Sequence, residues 1–177
     1  MQRGKITLII GGGRRGKSSY GEALAKAIEG ERFYIATAEV TDEEMAKRIE
    51  AHQKRREGLF SKTIEETLDL AKALAKTEGA SVVLLDCLTV WLGNVLHRRG
   101  LLDYYSEVEE FIEALKNNRT NLIIITNEVG QGIIPATQLS RHYRDHAGWL
   151  NQAVAQIADK VVWMVAGIPV VVKGGEV

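Results

Sequence analysis

The stretch that decides the fold is Ile6-Thr7-Leu8-Ile9-Ile10 followed by Gly11-Gly12-Gly13-Arg14-Arg15-Gly16-Lys17-Ser18. The apolar run predicts a buried strand, and the second run matches G-x-x-x-x-G-K-S/T where that strand passes into a helix. Glycines let the backbone aim its N–H groups at phosphate oxygens, and the helix N-terminus adds partial positive charge. We therefore predict that residues 11–18 bind a nucleotide, with Lys17 exposed and reaching its outer phosphates and Ser18 holding Mg²⁺. The alternative, a chance glycine turn, does not explain why strand, loop and helix follow in register.

A carboxylate follows a second apolar run, Val82-Val83-Leu84-Leu85-Asp86. Ligands of open α/β sheets bind at the carboxyl ends of the strands, so Asp86 is predicted to hold Mg²⁺ directly or through water. The alternative is a cap on the helix that follows. Thr126-Asn127-Glu128 ends another apolar run and is predicted to face the same crevice.

Apolar runs of strand length alternate with amphipathic stretches along the whole chain. The predicted strands are Ile6–Ile10, Phe33–Ala36, Ser81–Leu85, Leu122–Thr126, Val161–Val165 and Val170–Lys173. The predicted helices are Lys17–Glu29, Thr41 to about Arg56 with a Thr41/Glu44 capping box, Ile64–Lys76, Leu88–Leu96, Val108–Leu115 and Ala147–Ala158. This pattern predicts an α/β, P-loop NTPase-like fold, with a mostly parallel sheet, helices on both faces and a C-terminal antiparallel hairpin. Its length fits a single nucleotide-binding catalytic domain over residues 1–177.

Composition narrows the class of protein. The chain has 23 basic and 23 acidic residues, so no net charge attracts nucleic acid or an anionic membrane. The apolar runs are too short to span a bilayer. Cys87 is the single cysteine, which excludes an intrachain disulfide and suits a reducing cytoplasm. His97, predicted in a surface turn, and His142 and His146, in a mixed-charge stretch, lack the spacing of a zinc site with Cys87.

The stretch after Thr41 places a histidine on a basic helix. Met45 and Ile49 share one face that His52 continues, while Arg48, His52 and Arg55 recur at i, i+4 and i+7. A solvated basic face is one interpretation, and periodicity alone favours it. The other is that His52 attacks a phosphorus atom while the arginines neutralise charge on the phosphate oxygens.

The chain resembles the adenosylcobinamide kinase/adenosylcobinamide-phosphate guanylyltransferase family along nearly its whole length. The matching blocks are Gly11–Ser18, Tyr34-Ile35-Ala36-Thr37-Ala38, Asp42–His52, Thr63-Ile64-Glu65-Glu66, Leu84–Thr89, Thr126–Pro135 and Asn151-Gln152. The loop departs from the family pattern at Gly13 and Arg15, and Glu57 stands where a proline is common.

The resemblance implies two reactions: phosphorylation of adenosylcobinamide by ATP or GTP, then transfer of GMP from GTP to adenosylcobinamide phosphate, giving adenosylcobinamide-GDP. It implies that His52 becomes guanylylated and that the protein is a homotrimer. The loop motif itself predicts that Lys17 is catalytic in phosphoryl transfer. The GTP contacts that the resemblance implies are Gly11, Gly12, Gly13, Arg14, Arg15, Gly16, Lys17, Ser18, Ala36, Thr37, Ala38, Gln53, Lys54, Arg55, Arg56, Glu65 and Asp86. Two rival hypotheses remain, a small-metabolite kinase in which His52 is structural and a GTP-switched binding module.

Overall fold

The computed structural model describes residues 3–40 and 43–175, and within these ranges strands and helices alternate. The strands are β1 (Ile6–Gly11), β2 (Arg32–Ala36), β3 (Lys62–Glu65), β4 (Val82–Asp86), β5 (Asn121–Asn127), β6 (Lys160–Val165) and β7 (Ile168–Lys173). The helices are α1 (Lys17–Lys26), α2 (Glu43–Arg55), α3 (Leu70–Ala75), α4 (Leu88–Arg99), α5 (Ser106–Lys116) and α6 (Gln138–Ile157).

The strands form one sheet in the order β3-β2-β4-β5-β1-β6-β7. All neighbouring pairs are parallel except β6 and β7, which are antiparallel. Ala166 and Gly167 join that last pair with φ angles of 51° and 83°, the backbone form that matches the twist of a two-residue hairpin. The mostly parallel sheet with a C-terminal hairpin is confirmed.

Helices cover both faces of the sheet, as predicted. Successive side chains along a strand point to opposite faces, so Leu84 and Ile125 pack on one side while Leu85 and Ile124 pack on the other. Helix α1 covers the first side over β1, β4 and β5. Helices α4 and α6 cover the second side, where α5 and α3 complete the layer. Because the parallel strands share one direction, their carboxyl ends meet at one edge, which carries Gly11, Asp86 and Asn127.

The predicted helix Ile64–Lys76 is wrong in its first half. Residues 62–65 form β3, which pairs with β2 and buries only Ile64. The Glu66 carboxylate then accepts the N–H groups of Leu68 and Asp69 and turns the chain. Helix α3 starts only afterwards, with the Asp69 side chain accepting the N–H of Lys72 at 2.8 Å. Because an edge strand with one buried side chain has too few apolar residues to show a period of two, its sequence cannot be told from that of a helix.

Other predicted helices are present in the structure but begin or end at different residues. Helix α6 begins at Gln138 rather than Ala147, because Thr137 caps it by accepting the N–H of Ser140. Helix α1 ends at Lys26 rather than Glu29. Thr41 and the side chains of Glu44 and Arg48 lie outside the described part of the chain. No helix among the described residues combines the length and the apolar character that a bilayer span requires.

Candidate active site

Residues 11–18 connect β1 to α1 as the motif predicted. Gly16 has φ of 82° and Arg14 has φ of 55°, so the loop turns through left-handed backbone just before the helix. A Cβ at Gly11 would lie 2.8 Å from the Met164 carbonyl oxygen, which leaves no room for a side chain. A Cβ at Gly13 meets nothing within 4 Å, so this position has room for a side chain. No side chain caps α1, which leaves the N–H groups of its first turn for a ligand.

Lys17 is buried, and the prediction that it is exposed at the loop is wrong. Its side chain folds back so that Nζ donates to the Gly12 carbonyl at 2.6 Å, which leaves the residue only 7% exposed. Burial lowers the pKa of this ammonium below its ordinary value, and the nearby Cys87 and Asp86 oppose that shift in part. The cation that the motif supplies for phosphate is therefore enclosed by its own loop.

Asp86 lies where β4 ends and joins three elements of the fold. Its Oδ2 accepts hydrogen bonds from Ser18 Oγ on α1 at 2.9 Å and from the Tyr34 hydroxyl on β2 at 3.2 Å. Burial, and after it the Asp86 charge, raises the pKa of Tyr34, which keeps that hydroxyl a donor. A hydroxyl and a carboxylate this close supply two of the hard oxygen ligands that Mg²⁺ prefers, so these residues fit the ion.

A cavity of about 520 Å³ opens beside Asp86. It lies between the carboxyl ends of β2, β3 and β4 and one side of α2. The predicted site residues that line it are Ala36, Ala38, His52, Gln53, Arg56, Glu65 and Asp86. An apolar wall of Val40, Met45, Ile49 and Val90 completes it. The structure thus brings His52 and the candidate metal ligand Asp86 to one cavity.

The loop residues 11–18 do not line this cavity, and neither do three other predicted nucleotide contacts, Thr37, Lys54 and Arg55. Thr37 is fully buried, where its hydroxyl donates to the Cys87 carbonyl and accepts the Cys87 N–H, both at 2.9 Å. Lys54 pairs with Glu50, one turn earlier on α2, at 2.7 Å. Arg55 pairs with Glu22 of α1, also at 2.7 Å. These ion pairs turn both basic side chains to partners outside the cavity.

Arg56 is the basic residue that does face the cavity. Its guanidinium Cζ lies 3.6 Å from the centroid of the Tyr34 ring, and its Nε donates to the His52 carbonyl at 2.9 Å. Nη1 is buried and has no hydrogen-bond partner among the described residues. A buried guanidinium N–H without an acceptor costs free energy, and an acceptor on a ligand in the cavity would remove that cost.

The cluster that ends β5 lies beside the loop but does not line the cavity. Asn127 is the strand neighbour of Gly11, and the N–H of Glu128 donates to the Gly11 carbonyl at 3.1 Å. The Thr126 hydroxyl donates to Asn151 Oδ1 of α6 at 2.7 Å, and Asn127 Nδ2 donates to Thr89 Oγ1 at 2.9 Å. The side chains of Thr126 and Asn127 therefore connect β5 to α6 and α4.

The other histidines lie away from the cavity. His97 lies in the last turn of α4, not in the predicted surface turn. His142 and His146 are neighbours on α6, with ring centroids 4.2 Å apart and ring planes tilted by 42°, and His142 Nε2 is 2.9 Å from the Tyr105 hydroxyl. His146 contacts the Trp149 ring at 4.9 Å. Of the four histidines, His52 is the one that lines the cavity beside Asp86.

Tyr34 is the site residue that the sequence did not single out. It lies in the stretch Tyr34–Ala38, which contributes to the family resemblance, but an aromatic residue inside a strand usually indicates a core position. The signal that could have found it is its place two residues before Ala36, on the strand that pairs with β4. Its hydroxyl reaches Asp86, which is opposite Ala36 in that pairing.

The chain is similar to known proteins along nearly its whole length. Residues 7–172 match the family described as cobinamide kinase / cobinamide phosphate guanyltransferase. The bifunctional adenosylcobalamin biosynthesis protein CobP of Pseudomonas aeruginosa is 42% identical over 168 residues, which are 94% of this chain and 96% of that protein. The corresponding CobU protein of Escherichia coli K12 is 37% identical over 182 residues, covering 95% of this chain and 99% of that protein.

Among solved structures, an ATPase of a bacterial type III secretion system aligns with a TM-score of 0.53 at 12% identity. The alignment covers 92% of this chain and 51% of that one, and it shows a likeness of fold alone. The sequence match, by contrast, runs over nearly the full length of the relatives, and the range matched by the family, residues 7–172, spans the loop, His52 and Asp86. This chain belongs to the cobinamide kinase/cobinamide phosphate guanyltransferase family.

Proposed function

We propose that this chain is a bifunctional enzyme of cobalamin biosynthesis that works as one catalytic domain. It phosphorylates adenosylcobinamide with a nucleoside triphosphate, then transfers GMP from GTP to adenosylcobinamide phosphate, giving adenosylcobinamide-GDP. Family membership supports the pair of reactions. The observation that carries the proposal is that His52 and Asp86, on different elements, line one cavity, while Asp86 also accepts a hydrogen bond from Ser18 of the phosphate loop.

The first reaction uses the loop edge of the site. The adenosylcobinamide hydroxyl attacks the γ-phosphorus of ATP or GTP, and the nucleoside diphosphate leaves. Lys17 and the N–H groups of residues 11–18 would hold the phosphates, and Ser18 and Asp86, which are hydrogen-bonded to each other, would hold Mg²⁺. When bound, the ion neutralises charge on the phosphate oxygens. Lys17 must leave the Gly12 carbonyl to reach a phosphate, a rotation within its own side chain.

The second reaction uses the α2 side of the cavity. His52 attacks the α-phosphorus of GTP, a P–N bond forms and pyrophosphate leaves with the electron pair of the broken P–O bond. A phosphate oxygen of adenosylcobinamide phosphate then attacks the same phosphorus, the P–N bond breaks and His52 is restored. Splitting one displacement into two lets the donor and the acceptor use the same site in turn.

The remaining nucleotide contacts follow from what lines the cavity. Arg56 offers the unpaired Nη1, Glu65 offers a carboxylate, and Ala36 and Ala38 offer small walls. Thr37 would bind nucleotide only after rearrangement, because its N–H donates to the Asp86 carbonyl and its carbonyl accepts from Asn94 Nδ2. Lys54 and Arg55 would bind nucleotide only after releasing Glu50 and Glu22.

Two further properties complete the proposal. The protein assembles as a homotrimer, so light scattering should give three times the chain mass of 19.6 kDa. It works in the cytoplasm, where its nucleotide substrates are abundant and where the lone buried thiol of Cys87 stays reduced.

The decisive experiment is incubation with GTP labelled at the α-phosphorus. We expect label on the chain and release of pyrophosphate, because the attacked phosphorus stays on His52. The bond should break in acid and survive base, as a phosphoramidate does. His52→Ala should take no label and should lose GMP transfer, while its γ-phosphoryl transfer continues. His97→Ala, which removes an exposed histidine at the end of α4, is the matched control and should label normally.

The rival functions predict different results. A plain small-metabolite kinase would take no label and would work equally well as His52→Ala. A nucleotide-switched binding module would show no multiple turnover of adenosylcobinamide without a partner protein. Either result would reject the two-reaction assignment.

A further inference from the structure

Tyr34 contacts two sides of the cavity: the side of the candidate metal ligand Asp86, and the side of Arg56 and His52. It lies in β2 and is 3% exposed, yet its two ends meet polar groups on different elements. The hydroxyl donates to Asp86 Oδ2 at 3.2 Å, and the ring face lies 3.6 Å from the guanidinium carbon of Arg56. Phe60 packs edge-on against the ring with centroids 5.2 Å apart, which fixes the ring plane.

The hydroxyl end bears on the orientation of the metal-side carboxylate. Asp86 Oδ2 accepts from both Ser18 and Tyr34, so the hydrogen bonds of the described residues gather on one carboxylate oxygen and leave Oδ1. The Ser18 hydroxyl is itself a proposed ligand of Mg²⁺, so its hydrogen bond to Asp86 would change when the ion binds. The Tyr34 hydroxyl is not a proposed metal ligand, so its hydrogen bond can fix the plane of the Asp86 carboxylate both before and after the ion binds.

The ring end bears on the position of His52. Arg56 stacks on Tyr34 and at the same time donates from Nε to the His52 carbonyl at 2.9 Å. A stacked guanidinium that is also hydrogen-bonded is held on two sides. This fixes the last turn of α2, which carries His52 and Gln53 into the cavity.

We infer that Tyr34 is a positioning residue with two separable roles: its hydroxyl orients Asp86 for the metal, and its ring, through Arg56, holds the turn that carries His52. The inference rests on the proposed function, because it assumes that Asp86 and His52 act on one bound nucleotide. Tyr34 itself touches neither reacting phosphorus in this account.

Two substitutions separate the roles. Tyr34→Phe keeps the ring and removes the hydroxyl, and Tyr34→Leu removes both. Tyr104→Phe is the matched control, because the Tyr104 hydroxyl also donates to a carboxylate, that of Glu109 at 2.7 Å, on an exposed part of the surface. Thermal unfolding of each variant sets an assay temperature at which all are folded. Tyr34→Met replaces Tyr34→Leu if the latter does not fold.

Two measurements are needed, and one is independent of turnover. Mn²⁺ binding to the protein with α,β-methylene GTP, followed by electron paramagnetic resonance, reports the metal side. We expect Tyr34→Phe and Tyr34→Leu to weaken Mn²⁺ binding about tenfold, the usual effect of losing a hydrogen bond to a charged group.

The rate of labelling by α-labelled GTP at saturating Mg²⁺ reports the His52 side. It should stay within about twofold in Tyr34→Phe and fall about tenfold in Tyr34→Leu, since only the latter loses the cation–π contact.

Unchanged Mn²⁺ affinity in Tyr34→Phe would overturn the first role. Wild-type labelling in Tyr34→Leu at saturating Mg²⁺ would overturn the second. A change of either measurement in Tyr104→Phe would show that the effects are not specific to the site. If wild-type protein takes no label, the proposed function fails instead, and the Mn²⁺ titration still decides the role of the hydroxyl.

Discussion

Lys17 is a charged side chain that is buried at a cost to stability. Its ammonium is enclosed by the loop, and burial lowers its pKa, which means that the folded protein solvates the charge less well than water does. One carbonyl, that of Gly12, compensates. A side chain placed for stability would be apolar here, so the charge is explained by the phosphate that it is proposed to meet.

Replacing Lys17 with methionine should therefore separate activity from stability. We expect Lys17→Met to lose phosphoryl transfer by about a hundredfold or more, the usual effect of losing one preorganised charged donor. Its Tm without nucleotide should be equal to or higher than that of the wild type, because methionine fills the space and needs no hydration. Lys26→Met, at the exposed end of α1, is the control and should change neither. Normal turnover, or a Tm several degrees lower, would contradict this account.

Lys17→Met should also change how the stability of the protein depends on pH. Because the native pKa of Lys17 is lowered from 10.5, the unfolded chain binds more protons in the alkaline range just below that value. Stability contributed by this group therefore rises with pH there. Lys17→Met should lack that rise, which thermal melts at increasing alkaline pH would measure against Lys26→Met.

Positions that depend on local chain order could be predicted from the sequence, and contacts that depend on distant partners could not. Ser18 follows from the loop motif, and Asp86 follows from its place after an apolar run. The pairing of Arg55 with Glu22 on α1 joins residues on separate helices, and nothing in the α2 periodicity indicates it. The burial of Lys17 is likewise a property of the folded loop.

The joint between α6 and β5 supports the loop from the second side of the sheet. Asn151 is 7% exposed on α6, where its Oδ1 accepts from the Thr126 hydroxyl and its Nδ2 donates to the Asn127 carbonyl at 3.2 Å. Asn127 lies opposite Gly11 in the sheet. One amide thus connects a helix to the strand that neighbours the phosphate loop.

Truncating that amide should destabilise the fold. Asn151→Ala leaves the buried Thr126 hydroxyl and the Asn127 carbonyl without their partner, so we expect the free energy of unfolding to fall by about 1–3 kcal/mol. Gln152→Ala, one residue later and exposed, should change it by less than about 0.5 kcal/mol. Urea denaturation of both variants makes the comparison. Equal effects would mean that the joint contributes little.

Elements in the centre of the sheet were easier to predict than those at its edge. Strand β4 is buried on both faces from Val82 to Leu85, so its sequence is a continuous apolar run. Strand β3 is at the edge and buries only Ile64, so it carries too few apolar positions to show a period. The first turns of α6 were missed for a related reason, since exposed side chains such as Leu139 blur its apolar face.

The candidate site draws on parts of the chain that are far apart in sequence. The loop after β1, the ends of β2 and β4 and the last turn of α2 all contribute to it, and Asp86 and Tyr34 join them. A nucleotide that contacts all of these elements would bind only when they are assembled. Ligand binding and global folding should therefore be coupled.

That coupling makes a prediction for thermal unfolding. A ligand present at 100 times its Kd stabilises the folded state by about 2.7 kcal/mol. For a chain of this size, 1 kcal/mol shifts Tm by about 2–4 °C. We therefore expect α,β-methylene GTP with Mg²⁺ to raise Tm by about 5–11 °C at that ratio. At the same ligand concentration Lys17→Met should lose most of the shift, because its loop lacks the cation for the phosphates, while Lys26→Met should keep it. A shift of equal size in wild type and Lys17→Met would place the nucleotide away from residues 11–18, and no shift in either would remove the basis for the whole site.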